Sequence, residues 1–223
     1  MNLSHGSAVV TTHRMRTIKV RDDADIEYDV LGDGDLDLLL IPGAVVSDAF
    51  EPLLSELTHA PSNNLRVANF HRRGYGRSPK ATFPFSIQDQ AQDCLSVMDS
   101  LGFRKTHVVA HSMSGLLALQ LASDVPERIG SLALIEPSLT AFIPSAPQTA
   151  QALSRVVALY QSGNRVGALD TFMDGVSGQE YRKTMDTALP GWFEHAVNDI
   201  DTFFQIELPS IQEWKFSTRE RVR

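Results

Sequence analysis

The chain has 223 residues, a length that favours one domain with a small appended lid. Hydrophobic residues make up 43% and charged residues 21%, so a core of ordinary size is expected. A formal net charge of -7 argues against a nucleic-acid partner, because phosphate contacts need clustered Lys and Arg.

No apolar run approaches the ~20 residues that span a bilayer, and the first twelve residues lack a secretory pattern. A single cysteine, Cys94, leaves no intramolecular disulfide and fits a reducing compartment, so a cytoplasmic protein is expected. No CxxC or His-rich spacing suggests a metal, and no cofactor is called for.

Alternating runs at Thr17-Ile18-Lys19-Val20 and Ile26-Glu27-Tyr28-Asp29-Val30 read as a β-hairpin pair, ended by Gly32-Asp33-Gly34. Leu38-Leu39-Leu40-Ile41 is a continuous apolar run, as a strand buried on both faces requires, and it breaks at Pro42-Gly43. An amphipathic stretch follows over 49–57, with His59 just past its end, and then a strand over 65–70. Ser86 starts a helix with Asp89 three residues on, as in a capping box. Ile87, Ala91, Cys94, Leu95 and Met98 form its apolar stripe, and Gly102 stops it.

A strand at 108–110, an apolar helix over 113–123 and a strand at 132–135 complete the pattern. Strand and helix alternate, which predicts an α/β fold: a mostly parallel sheet with helices on both faces. From 149 to 214 the periodicity is helical, with breaks expected at Gly163, Gly175, Gly178, Pro190-Gly191 and Pro209. The expected division is a core over 1–137 and a helical cap over 138–223.

The chemistry centres on Ala110-His111-Ser112-Met113-Ser114-Gly115, where a strand turns abruptly into a helix. This is the small-x-Ser-x-small pattern of a nucleophile elbow, although Ala110 and Ser114 replace the usual glycines. The elbow puts Ser112 at a helix N-terminus, where free N–H groups and the dipole favour developing negative charge. Pro42-Gly43-Ala44 follows a buried strand, where the N–H of Ala44 would join that of Met113 in an oxyanion hole. Gly43 and His111 are the residues expected to touch substrate.

With Phe70-His71-Arg72-Arg73-Gly74-Tyr75-Gly76-Arg77-Ser78 at the next strand end and Pro126-Glu127-Arg128 after the elbow helix, the sequence resembles the α/β-hydrolase superfamily. The resemblance covers 16–137, and the helical region is similar to the cap of bacterial members. It implies a serine hydrolase acting on carboxylic esters or related acyl or C–C substrates. In that family the chain order is Ser, then Asp or Glu, then His. Glu136, ending the strand after the elbow, is the candidate acid.

The resemblance places the triad histidine after the final strand, beyond the end of this sequence, so the chain looks truncated before it. His111 has a family counterpart that is structural, and His71 sits where the family often has Asp and is expected to tie its loop down by hydrogen bonding. His107 opens a strand, His5 and His13 lie in the N-terminal tail, and His195 belongs to the cap. Two readings stay open: a serine hydrolase, and an inactive remnant or ligand-binding protein. Phe172, Met173, Trp192, Phe193, Phe203 and Phe204 suggest an apolar pocket for a small-molecule substrate, and equally the packing of cap helices. The strand at 132–135 would lie at a sheet edge with interior-type side chains, which predicts edge-to-edge dimerisation.

Overall fold

The computed structural model describes residues 16–59, 64–80, 84–138 and 147–216. Arg16–Lys19 (β1) and Asp25–Leu31 (β2) pair antiparallel, Arg16 opposite Tyr28, as their alternation predicts. Leu36–Ile41 (β3), Leu65–Phe70 (β4), Thr106–His111 (β5) and Ile129–Ile135 (β6) run parallel to one another, and β2 joins β4 antiparallel. The six strands lie in the order β1-β2-β4-β3-β5-β6. Parallel neighbours need crossovers. Glu51–His59 (α1), Ile87–Ser100 (α2) and Ser114–Asp124 (α3) supply them.

The two-residue period of β3 decides which side each helix covers. Leu39 and Ile41 pack with Ala91 and Val97 of α2 and Leu117 and Leu121 of α3. Leu38 and Leu40 point the other way, onto Phe50 and onto Leu54 of α1. Each such burial contributes ~1.5–3 kcal/mol. Ser86 caps α2 as expected: its Oγ accepts from the Asp89 N–H at 3.1 Å, and the Asp89 carboxylate accepts from the Ser86 N–H at 2.8 Å. β6 is the last strand of the sheet, and Ile135 is 44% exposed there.

The remaining described residues are helical: Pro147–Gln161 (α4), Arg165–Ser177 (α5), Tyr181–Ala188 (α6) and Trp192–Asp201 (α7). A π-helical turn, Thr202–Glu207, then leads straight into Leu208–Glu213 (α8). Gly163, Gly178 and Pro190-Gly191 separate helices as predicted. Two expected breaks do not occur. Gly175 lies inside α5, where an exposed glycine weakens a helix by about 1 kcal/mol without stopping it. Pro209 stands second in α8, directly after the π-helical turn, and the chain stays helical through it. His59 is the last residue of α1 rather than beyond it. No helix among the described residues is long and apolar enough to cross a membrane.

The helical segment has its own core. Tyr160 stacks on Phe204 at 4.3 Å between centroids, and Phe172 lies 4.8 Å from Phe203. Val45, from the loop after β3, is buried in the same cluster, with Ala44 and Val46 packed against it.

Candidate active site

β5 ends at His111 and α3 begins at Ser114, so Ser112 and Met113 must turn the chain between them. Ser112, the predicted nucleophile, is half-buried and takes φ 54, a left-handed conformation that non-glycine residues adopt rarely. Hydrogen bonds hold it there. Its N–H donates to the Ile135 carbonyl at 2.9 Å, and the Ser138 and Gly115 N–H groups each donate to its own carbonyl at 3.0 Å. The turn is thereby fixed to the end of β6.

Glycine is required one place later than the motif suggests. A Cβ on Gly115 would stand 2.6 Å from Pro137 Cβ. Ser114, in the usual glycine position, is fully buried, and its hydroxyl donates to the Pro42 carbonyl at 2.6 Å. The residue that departs from the motif thus ties the turn to the loop after β3.

That loop lies directly against Ser112. A Cβ on Gly43 would meet His111 Nδ1 at 2.9 Å and Ser112 Cβ at 3.2 Å, so only glycine allows this approach. Val45, two residues on, has φ 60, an outlier for a β-branched residue. Among the described residues, neither the Ala44 nor the Met113 N–H has a hydrogen-bond acceptor. Gly43 and its neighbour Ala44 therefore lie against the turn formed by His111, Ser112 and Met113.

Buried charge supports the loop from behind. The Arg72 guanidinium donates to the Pro42 carbonyl through Nε at 2.9 Å and to the Gly43 carbonyl through Nη2 at 2.8 Å. Burial is the largest single influence and works against its charge, but Glu207, Tyr75 and Cys94 together outweigh it and the net shift is upward. Arg73 makes a two-pronged pair with Asp93, at 2.8 and 2.7 Å. His71 is clamped between Glu27 Oε2 at 2.7 Å and Asp48 Oδ1 at 2.8 Å. Burial opposes its protonation, yet the hydrogen bonds to Asp48 and Glu27 raise its pKa to about 9. This histidine ties its loop down, as its motif position predicts.

The other predicted residues are less tightly engaged. Glu136 is exposed at the end of β6 with φ 44. Burial lowers the pKa of His111, and Glu136 pulls weakly the other way. His195, on α7, is 63% exposed in its side chain with Nδ1 3.6 Å from Asp48 Oδ2. His107 Nδ1 lies 2.8 Å from Ser131 Oγ. Among the described residues no histidine hydrogen-bonds to Ser112 Oγ; His5 and His13 lie outside them. No group of three or more His, Cys, Asp or Glu among the described residues could hold a metal.

Residues 38–196 match the model of the alpha/beta hydrolase fold. The chain belongs to that family. Within it, this α/β-hydrolase is 34% identical over 113 residues to the "Putative carbamate hydrolase RutD" of Variovorax paradoxus, covering 49% of this chain and 41% of that protein. The protein of the same name from Caulobacter segnis is 44% identical over 71 residues, 31% of this chain and 27% of its own length. The matched region thus spans well under half of these curated relatives. Among solved structures, the enol-lactonase from Burkholderia xenovorans superposes with a TM-score of 0.72 at 19% identity, covering 89% of this chain and 74% of that one. A thermophilic esterase from Thermogutta terrifontis gives 0.62 at 18% identity, covering 90% and 72%. These two likenesses bear on the fold.

Sequence reading missed Arg72 as a brace, Tyr75, Glu207 and the partners of His71. Their signal is spatial. Arg72 and Glu207 are 135 residues apart.

Proposed function

We propose that this α/β-hydrolase is built for serine-dependent attack on an acyl carbonyl, with Ser112 as nucleophile. The observation that carries the reading is the left-handed Ser112 turn set against Gly43. Ser112 Oγ would attack the carbonyl carbon and the carbonyl oxygen would take the electron pair as an oxyanion. The unengaged N–H groups of Ala44 and Met113 suit it. Collapse would expel the leaving alkoxide or amine with a proton and leave an acyl-serine, which water then cleaves.

The Ser112 proton requires a base, and Glu136 is assigned as the acid that orients a histidine brought to this site. Relatives named for carbamate hydrolysis, and neighbours named esterase and enol-lactonase, support an ester, lactone or carbamate as substrate class. Ala44 and Val45, packed into the aromatic cluster of the helical segment, support a cap role for that segment and an apolar substrate.

Fluorophosphonate labelling followed by intact-mass measurement tests this. Wild type should gain one adduct and Ser112→Ala none; equal labelling of both would refute it. A second reading, ligand binding without turnover, is favoured by the lack of a histidine hydrogen-bonded to Ser112 among the described residues. It predicts no Ser112-dependent adduct, with saturable binding of a non-hydrolysable ester analogue.

The exposed edge of β6 also supports self-pairing of two chains there. Light scattering across a dilution series should show a dimer that Ile135→Lys disperses, whereas a monomer at every concentration would refute it.

A further inference from the structure

We propose that Glu207 is a positioning residue that sets the direction of the Ala44 N–H by gripping the two peptide units that flank the Ala44 Cα. The inference rests on the oxyanion role given to Ala44 above.

Glu207 sits at the end of the π-helical turn, is 0% exposed, and reaches the loop by two arms. Through Oε1 it is paired with Arg72 Nη1, while Arg72 Nη2 donates to the Gly43 carbonyl at 2.8 Å. Through Oε2 it accepts from the Tyr75 hydroxyl at 2.6 Å, whose oxygen in turn accepts from the Val45 N–H at 3.4 Å. Gly43 carbonyl and Ala44 N–H are opposite ends of one trans peptide, so they point in opposite directions. A guanidinium fixed at that carbonyl turns the Ala44 N–H away from itself and polarises it as a donor. The second arm holds the next peptide, at Val45. Ala44 is left with little rotational freedom between them.

Other features fit a device rather than an incidental ion pair. Two further Arg72 donors are engaged by the Pro42 carbonyl at 2.9 Å and Gln90 Oε1 at 2.7 Å, and its Cζ lies 4.7 Å from the centre of the Tyr75 ring. The guanidinium therefore cannot swing without breaking several contacts. The segment carrying Glu207 is anchored to the same 71–78 loop: Thr202 Oγ1 donates to the Gly74 carbonyl at 2.8 Å and the Gly76 N–H donates to Asp199 Oδ2 at 2.8 Å. A π turn holds one more residue than an α turn, and deleting it would rotate Glu207 by about 100° away from Arg72. Any movement of the helical segment that withdraws Glu207 releases both flanking peptides together. The segment thereby sets the readiness of the site as well as its access.

The test is a Glu207→Gln variant of the full chain, read by the 1H–15N resonances of Ala44 and Val45 and by the rate of fluorophosphonate labelling at Ser112. Both resonances should move. Labelling should slow about tenfold, less than the 10²–10³-fold effect of deleting an oxyanion donor outright. Gln205→Ala, on the same segment but exposed, should leave both readouts unchanged. Unmoved amides in a folded Glu207→Gln protein would overturn the proposal, even if stability falls, because that pattern marks a purely structural pair. If Glu207→Gln does not fold, Tyr75→Phe removes one arm only and should move Val45 and slow labelling about threefold; no change in either overturns the proposal. Amides that move in Glu207→Gln while the wild type never labels at Ser112 would refute the serine reading and leave the link standing.

Discussion

The clamp on His71 makes the stability of the fold depend on pH in a direction opposite to acid denaturation. Its ring lies between Glu27 and Asp48, with Arg77 N–H also donating to Glu27 Oε2 at 3.2 Å and His195 near Asp48. The folded pKa is raised to about 9 from an ordinary 6.5, so the folded state holds this proton more tightly than the unfolded chain. Stabilisation from a raised pKa is fully present below the unfolded value and is lost as pH climbs through the folded one. At 1.36 kcal/mol per unit the shift corresponds to about 3 kcal/mol, nearly all of it lost between pH 6.5 and 9.5. Glu27 and Asp48 work the other way. The His71 hydrogen bond lowers Glu27; on Asp48 burial is the largest single influence and pushes upward, but His71 and His195 together outweigh it, so the share of both carboxylates is lost only as pH falls through their depressed values. Urea unfolding at fixed ionic strength, at pH 6.5, 7.5, 8.5 and 9.5, measures the effect. Wild type should lose about 2–3 kcal/mol more than His71→Gln across that range, with the variant weaker at pH 6.5 and nearly flat above it. Parallel pH profiles for the two proteins would refute a charged His71.

Three substitutions probe the turn itself. Gly43→Ala places a methyl group 2.9 Å from His111 Nδ1 and 3.2 Å from Ser112 Cβ, so the loop must retreat; labelling of Ser112 should fall at least about tenfold while the far-UV circular dichroism is unchanged. Ser114→Ala removes the buried hydroxyl from the Pro42 carbonyl but leaves Arg72 Nε on it, and should cost about 1 kcal/mol in chemical unfolding. Ser112→Gly relieves the left-handed backbone and should stabilise the fold by about 1 kcal/mol while abolishing labelling, and a destabilised variant would show that φ 54 carries no strain.

Much of the fold is legible because it is local. β4 begins and ends where the sequence places a strand, at 65 and 70, and the Ser86–Asp89 capping box forms as the spacing implies. The turn at Ser112 and its neighbours Gly43 and His111 are legible for the same reason, since strand ends of a parallel sheet converge on one rim. What escapes is either a local signal that tertiary context overrides or a meeting of distant residues. Gly175 and Pro209 have the chemistry of breakers, but one sits on an exposed helical face and the other directly follows a π-helical turn, and the helix runs through both. Glu207 reads as one more acidic residue on a helix until Arg72 and Tyr75 are placed beside it. The partners of His71 lie 44 and 23 residues away. Ser114 looks like a weakened motif, and its value is visible only once Pro42 is seen above it.

The distribution of strain argues that the turn is more than a connection. Among the described residues, four non-glycine positions have positive φ, and three of them, Val45, Ser112 and Glu136, follow the ends of β3, β5 and β6. Each costs on the order of 1–3 kcal/mol, a burden that glycine at these places would remove. The strain persists because the surroundings fix it: Ile135 and Ser138 hold Ser112, Tyr75 holds Val45, and the helical segment buries the Val45 side chain. A connection needing only to reverse direction would gain from glycine at all three. A site of the proposed kind, one hydroxyl presented to two amides, would not, because each glycine would return the rotational freedom that the hydrogen bonds remove. The side chain at 45 matters for the same reason, since it lets the helical segment press on the loop that lies against Ser112.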